Sequence, residues 1–218
     1  QDLDKANIAY KGVVKQNDLP TGCCNILVSP DGERTMATHI GIGSQLHPSE
    51  LTEDSLKGID HIYMESYLWD HDLTKQTLKK VGEIAKTMNI ETSLSLSDPF
   101  CVDRHRDELQ SFIEGYVDLV FCNFDEAKMF VQSETMADVS SFFQSFGKKI
   151  AMTAGAEGAY YFHGETVAHQ PAQKIDQVID TTGAGDNFAA GFLDQYLSDK
   201  TIDEALVQGN ARAGEVIQ

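Results

Sequence analysis

The residues best suited to chemistry lie in the run Asp180-Thr-Thr-Gly-Ala-Gly-Asp-Asn-Phe-Ala-Ala-Gly-Phe192. It follows a strand candidate and opens an amphipathic helix in which Phe188, Phe192 and Tyr196 recur every four residues. Gly183 and Gly185 let the backbone approach a ligand closely, and Ala184 adds little bulk. Free N–H groups at a helix start hold a phosphate or a developing negative charge. Asp186 sits beside this anion hole. A carboxylate there cannot itself bind phosphate, so its natural task is to take a proton from an attacking hydroxyl. An acidic residue that only stabilised the helix dipole would contribute about 0.3–1 kcal/mol. The full string favours the catalytic role over that one.

Two other phosphate loops are excluded. No Gly-x-x-x-x-Gly-Lys-Ser/Thr occurs, and the Gly-rich loop lies near the chain's end with no acidic residue some 20 positions later that closes a second strand, as a dinucleotide site would need. Three further segments are ambiguous taken singly. Asn123 in Asn123-Phe-Asp-Glu126 reads as the N-cap of a short helix, and its place at a strand's C-terminal end also suits a ligand site in a parallel sheet. Thr153-Ala-Gly-Ala-Glu-Gly158 reads as a Gly-rich turn between strands, and Asn210 as a surface helix residue.

The elements that must position these residues change character along the chain. Residues 8–14 and 23–29 are strand candidates, Pro30-Asp31-Gly32 a turn signal, and 34–40 a return arm. After residue 50 helices alternate with buried strands. A short helix is expected at 50–57 and a strand at 59–64. Leu73, Thr77, Val81, Ile84, Ala85 and Met88 then share one helical face. Strands at 92–97, 117–122 and 148–153, with a helix at 104–116, imply crossovers and a largely parallel sheet covered on both faces. Segments 159–162, 165–168 and 174–178 break this rhythm as an antiparallel meander. Helices resume at 185–197 and 203–218.

The bulk properties narrow the function classes. The 218 residues are long enough to bury roughly 70% of their unfolded surface. With 41% hydrophobic and 23% charged residues the composition is that of a globular chain. Seventeen Lys and Arg against 34 Asp and Glu give a net charge of −17, which repels nucleic acid and anionic lipid. An anionic nucleotide would need local N–H groups and cations. Cys23, Cys24, Cys101 and Cys122 form no C-x-x-C pair, and Cys122 reads as a small buried hydrophobe. No spanning apolar run, signal peptide or glycosylation sequon occurs, so a reducing cytoplasm is the expected home. A start at Gln1 and an end inside a helix-like segment suggest a fragment.

The string from Asp180 to Phe192 resembles the second signature of the ribokinase/PfkB carbohydrate kinase family, which includes adenosine kinases. Further matches fall in the family's order across nearly the whole chain. Thr21-Gly22 with Pro-Asp-Gly-Glu-Arg-Thr35 resembles its early strand pair, and Ser97-Asp98-Pro99 its mid-chain strand end. Asn123-Phe-Asp-Glu126 resembles its Asn-x-x-Glu motif. The runs around Leu96–Arg106 and Gly214–Gln218 look most like bacterial adenosine kinase-like sugar kinases.

The resemblance implies a ribokinase-like three-layer α/β/α sandwich with a mostly parallel central sheet and a small β-rich lid. One partial domain would span 1–218, with 8–40 associated with the lid and 50–218 forming the nucleotide-binding and catalytic body. It implies transfer of the ATP γ-phosphoryl group to a primary hydroxyl of a sugar or nucleoside, with Asp186 as base and Gly183, Ala184, Gly185 and Asp186 as the anion hole. Asn123, Thr153, Gly155, Glu157, Gly158 and Asn210 would contact the nucleotide. Glu126 would serve Mg2+, largely through water. Arg34 is a weaker phosphate candidate. A Gly-Gly-Asn-like motif and an acid that grip the sugar would precede Gln1. The family also suggests pairing through the lid and, in some relatives, a monovalent cation near Asp180. Two alternatives stay open: a kinase of vitamin-precursor alcohols on the same fold, and a non-catalytic nucleotide-binding regulator.

Overall fold

The computed structural model describes residues 5–9, 19–29 and 34–218. Two separate sheets form. Strands β1 (Cys23–Val28) and β2 (Arg34–His39) pair antiparallel, with Cys23 opposite His39 and Val28 opposite Arg34. This is the expected return-arm pairing, and β1 is exposed along its whole length. The turn signal at 30–32 and most of the first strand candidate lie outside the described residues. Ile8 and Ala9 are not in a strand.

The main sheet has six strands in sequence order: β3 (His61–Glu65), β4 (Glu91–Ser95), β5 (Leu119–Asn123), β6 (Lys149–Thr153), β7 (Ala159–His163) and β8 (Thr166–Gln170). The first four are parallel, and β7 and β8 run antiparallel to their neighbours. Crossovers of one handedness that step steadily in one direction must lie on one side of the sheet. Helices α1 (Asp72–Met88), α2 (Pro99–Tyr116), α3 (Phe124–Val131) and α4 (Met136–Ser145) do so. They bury Leu78, Leu109, Phe130 and Phe143 against Met64, Leu94, Val120, Cys122, Ile150 and Met152. The opposite face is left to α5 (Ala184–Tyr196) and α6 (Ile202–Val216). Phe188, Phe192 and Leu206 cover Leu119, Phe121, Ala151 and Tyr161 there. Burying each of these aromatics is worth about 1.5–3 kcal/mol.

Local chemistry sets the ends of these helices. Asp98 accepts from the Phe100 and Cys101 N–H groups, and Pro99 occupies the first turn, so α2 starts before the expected 104. Thr201 and Glu204 box the start of α6. The helix expected at 50–57 is instead two 3-10 turns, Pro48–Glu50 and Glu53–Leu56. Thr52 caps the second of them and so restarts the chain between the two. Segment 174–178 is not a strand. Its neighbourhood is fastened along α6 rather than along the sheet: Ile175 lies on Gly214, and the Ile179 N–H donates to the Ile217 carbonyl. Helix α4 was not expected, although Thr135 caps it through the Asp138 N–H. No described helix is long and apolar enough to cross a membrane. Cys101 and Cys122 are buried free thiols, as the apolar context of Cys122 predicts.

Candidate functional site

The site begins where α5 begins. Asp180 Oδ1 accepts from both the N–H and the hydroxyl of Thr182, at 2.8 and 2.7 Å, and so shapes the turn into the helix. Gly183 follows as the N-cap with φ +76°, a left-handed conformation that a side chain would strain. The Asn187 side chain donates to the Gly183 carbonyl at 2.9 Å and holds that conformation. No side chain caps this helix start. The Ala184 N–H is already used by the Thr181 carbonyl at 3.2 Å. The N–H groups of Gly185 and Asp186 donate to no group among the described residues. An anion hole at 183–186, as expected from the sequence, would therefore rest on these two donors, with the exposed Asp186 carboxylate in the same turn.

The sheet presents its partners directly below. Residues paired across parallel strands point to the same face, so Glu65, Ser95 and Phe121 share the face that carries α5, as do Asn123 and Thr153. Phe121 meets Phe188 of α5 at 6.4 Å and Tyr63 at 6.0 Å. The C-terminal strand ends Glu65, Asn123 and Thr153 thus lie on the side where α5 starts.

Asn123 and Glu126 bond reciprocally. Asn123 Oδ1 accepts from the Glu126 N–H at 2.8 Å. Glu126 returns one oxygen to the Asn123 N–H at 3.0 Å and the other to its side-chain amide at 2.8 Å. The pair is a capping box as well as a site candidate. Glu126 is only 5% exposed. Burial pushes its carboxyl up to about 7, with Asp98 and Asp125 adding to the rise against the Asn123 bond. A hard cation fits oxygen donors of this kind. Because both Glu126 oxygens are engaged by Asn123, it would be met through water. Among the described residues, no three His, Cys, Asp or Glu side chains converge to hold an ion.

The strand-end loop after Thr153 is closed by Gly158, whose carbonyl accepts from the Ala154 N–H at 2.7 Å. Gly155, Ala156 and Glu157 form a 3-10 turn between them. Gly158 has φ +99° and ψ −138°, and a Cβ there would lie 2.1 Å from the Gln170 carbonyl oxygen. The His169 ring bonds the Glu157 carbonyl at 2.8 Å. The Asn210 amide, on α6, donates to the Gln170 and Pro171 carbonyls at 3.0 and 3.2 Å. Gly158 and Asn210 therefore clamp the same stretch of backbone from two sides. The Asn210 side-chain amide, expected at the nucleotide, is thus committed to backbone carbonyls. The side chain of Arg34 lies outside the description.

Glu65 was not anticipated. Its carboxyl is raised by burial and then by the Asp186 carboxylate, which places the two acids in each other's field. Tyr67, in the 3-10 turn after β3, is pushed up to about 12 by burial and by Asp98, Glu126, Glu65 and Asp186. An acidic residue closing a buried strand was the available signal for Glu65.

The family model described as pfkB family carbohydrate kinase matches residues 1–218. An ATP-dependent ribose-1-phosphate kinase of Halopiger xanaduensis is 30% identical over 97% of this chain and 66% of its own length. An adenosine kinase of Dictyostelium discoideum is 24% identical over 91% of this chain and 62% of its own. The crystal structure of adenosine kinase from Sinorhizobium meliloti superposes with a TM-score of 0.94 at 34% identity, over 99% of this chain and 66% of that one. The chain thus spans about two thirds of the length of these relatives.

Proposed function

The chain belongs to the PfkB family of carbohydrate kinases, and from that premise we propose that it carries the phosphoryl-transfer side of an ATP-dependent kinase acting on a hydroxyl of a sugar or nucleoside. The observation that carries the reading is the uncapped start of α5, where two unengaged N–H groups stand beside an exposed carboxylate.

In this reading Asp186 takes the proton from the attacking hydroxyl as its oxygen bonds the γ-phosphorus. The bond between that phosphorus and the β–γ bridging oxygen breaks, and ADP leaves with the electron pair. The Gly185 and Asp186 N–H groups meet the charge on the transferring group. Thr153, Gly155, Glu157 and Gly158 shape the loop along which the nucleotide lies, and Asn123 stands at the adjacent strand end. Glu126, with Asp98 close by, would hold Mg2+ through water, and that ion supplies neutralisation of the phosphates when bound.

The test is Asp186→Asn in the whole protein. Turnover should fall about 10²–10⁴-fold while ATP affinity is kept. Near-normal phosphorylation by that variant would remove Asp186 from the role of base.

A further inference from the structure

The last residues of β8 stand between two parts of the site. On one side they meet the strand-end loop. Its closing residue, Gly158, is buried, and a Cβ there would fall 2.1 Å from the Gln170 carbonyl oxygen and 2.5 Å from the Ala172 nitrogen. One residue earlier, the Glu157 carbonyl accepts from His169 Nε2–H at 2.8 Å. The Tyr160 ring, opposite His169 on β7, stacks on the imidazole at 4.3 Å and so fixes its plane. On the other side α6 holds the same residues. Asp203 accepts from the Gln170 side chain at 3.0 Å. Asn210, about two turns further along α6, donates to the Gln170 and Pro171 carbonyls at 3.0 and 3.2 Å. Both acceptors are carbonyls, so the amide nitrogen must face them and both its hydrogens are used. What this side chain leaves for a ligand is one oxygen. The loop itself is open at its tip, where a Cβ on Gly155 would meet nothing within 4 Å.

We propose that Asn210 and His169 are positioning residues that act on a bound nucleotide through the end of β8, without touching it. Helix α6 sets residues 169–171, and these set the loop from Ala154 to Gly158. The role rests on the phosphoryl-transfer reading for placing the nucleotide along that loop. A shift of the 170–172 backbone cannot be absorbed at Gly158, because the two stretches of chain are already in contact there. It passes instead to the Gly158 carbonyl, which closes the loop by accepting from the Ala154 N–H at 2.7 Å. The Glu157 carbonyl carries the same shift through His169. Loss of the Asn210 hydrogens would leave two carbonyls at the β8 end without their donor, and loss of the His169 donor would release the loop one residue before Gly158.

Amide exchange followed by NMR in the nucleotide-free whole protein reads this path directly. Asn210→Asp keeps an oxygen and loses both hydrogens. In that variant the Ala154 and Gly158 amides should exchange about 3- to 10-fold faster, with those of β4 and β5 unchanged. ATP affinity, measured by titration calorimetry, should fall by a similar factor, roughly 3- to 10-fold. A direct contact of the Asn210 oxygen with the base would survive this substitution, so unchanged ATP affinity in a folded Asn210→Asp overturns the proposal. His169→Leu, which acts on Glu157 instead, should reproduce both changes. His169→Gln, which keeps an N–H at about the same reach, should recover most of the loss. Loop exchange unchanged in both Asn210→Asp and His169→Leu also overturns the proposal. So does exchange that rises equally throughout the sheet, since the two residues would then be merely structural. If Asn210→Asp does not fold, the two His169 variants decide alone. A parent protein that binds no ATP counts against the phosphoryl-transfer reading, while loop exchange in the variants still decides whether the end of β8 holds the loop.

Discussion

A methyl group on Gly158 would have to sit 2.1 Å from the Gln170 carbonyl oxygen, at a backbone conformation that only glycine adopts freely. Gly155 also has a positive φ, +56°, but a Cβ there would meet nothing within 4 Å. Gly158→Ala should therefore cost about 2 kcal/mol or more, lowering the thermal midpoint by roughly 4–8 °C, while Gly155→Ala should cost only about 1 kcal/mol. Thermal unfolding of the two variants checks this, and equal midpoints would show that the 170–172 backbone yields easily. In the sequence both glycines read as parts of one nucleotide loop. Their difference was not legible, because it depends on a backbone segment that returns from β8. Glu65 was missed for the same reason: its significance depends on Asp186, far along the chain. Asn123 and Glu126 were legible because three-residue spacing is local, and it fits a capping box as well as a site.

Between single residues and the fold stands a second cluster, at the end of the sheet away from Asp186. Glu91 accepts from Lys149 and Tyr196 at 2.8 and 2.5 Å, which ties β4 and β6 to the last residue of α5. His61 on β3 bonds Ser93 through Nε2, and its buried Nδ1 has no hydrogen-bond partner, with Glu91 3.8 Å away. Burial holds His61 below its usual 6.5, Lys149 works in the same direction, and Glu91 and Asp118 oppose it. The unfolded chain then takes up a proton that the folded chain resists, so stability falls as pH drops through about 6.5. Burial works against the Glu91 charge, but the bonds from Lys149 and Tyr196 hold its carboxyl below the ordinary range. That adds a further loss as pH falls through the folded value of Glu91. Denaturant unfolding between pH 4 and 7 should show His61→Gln with a flatter slope than the parent above about pH 5. An unchanged slope would place the acid sensitivity elsewhere. At this scale α1 and α5 were readable from their apolar period, and α6 was expected from 203. Segment 174–178 was not, since its Ile175 lies on Gly214 of α6, and α4 was passed over despite Thr135 and Asp138.

For the molecule as a whole, the mixed sheet and its two covered faces follow from alternating elements and a late meander, and both were legible. What pattern alone does not give is the division of labour between the faces. Four helices pack beside the strands they connect, whereas α5 and α6 cover strands completed well before them. Contacts between neighbours in sequence close small loops, and those of α5 close large ones. Amides of α5 and α6 should therefore exchange with deuterium before those of β4, β5 and β6 in native-state exchange. Equal protection of both groups would mean that the faces open as one unit. The same ordering bears on synthesis. When a ribosome has delivered the chain as far as β8, Leu119, Phe121, Ala151 and Tyr161 form an apolar sheet face, and α5 and α6, which cover it, are not yet made. The nascent protein is at its stickiest at that moment, and the helix that carries Asp186 is also the one that ends the exposure.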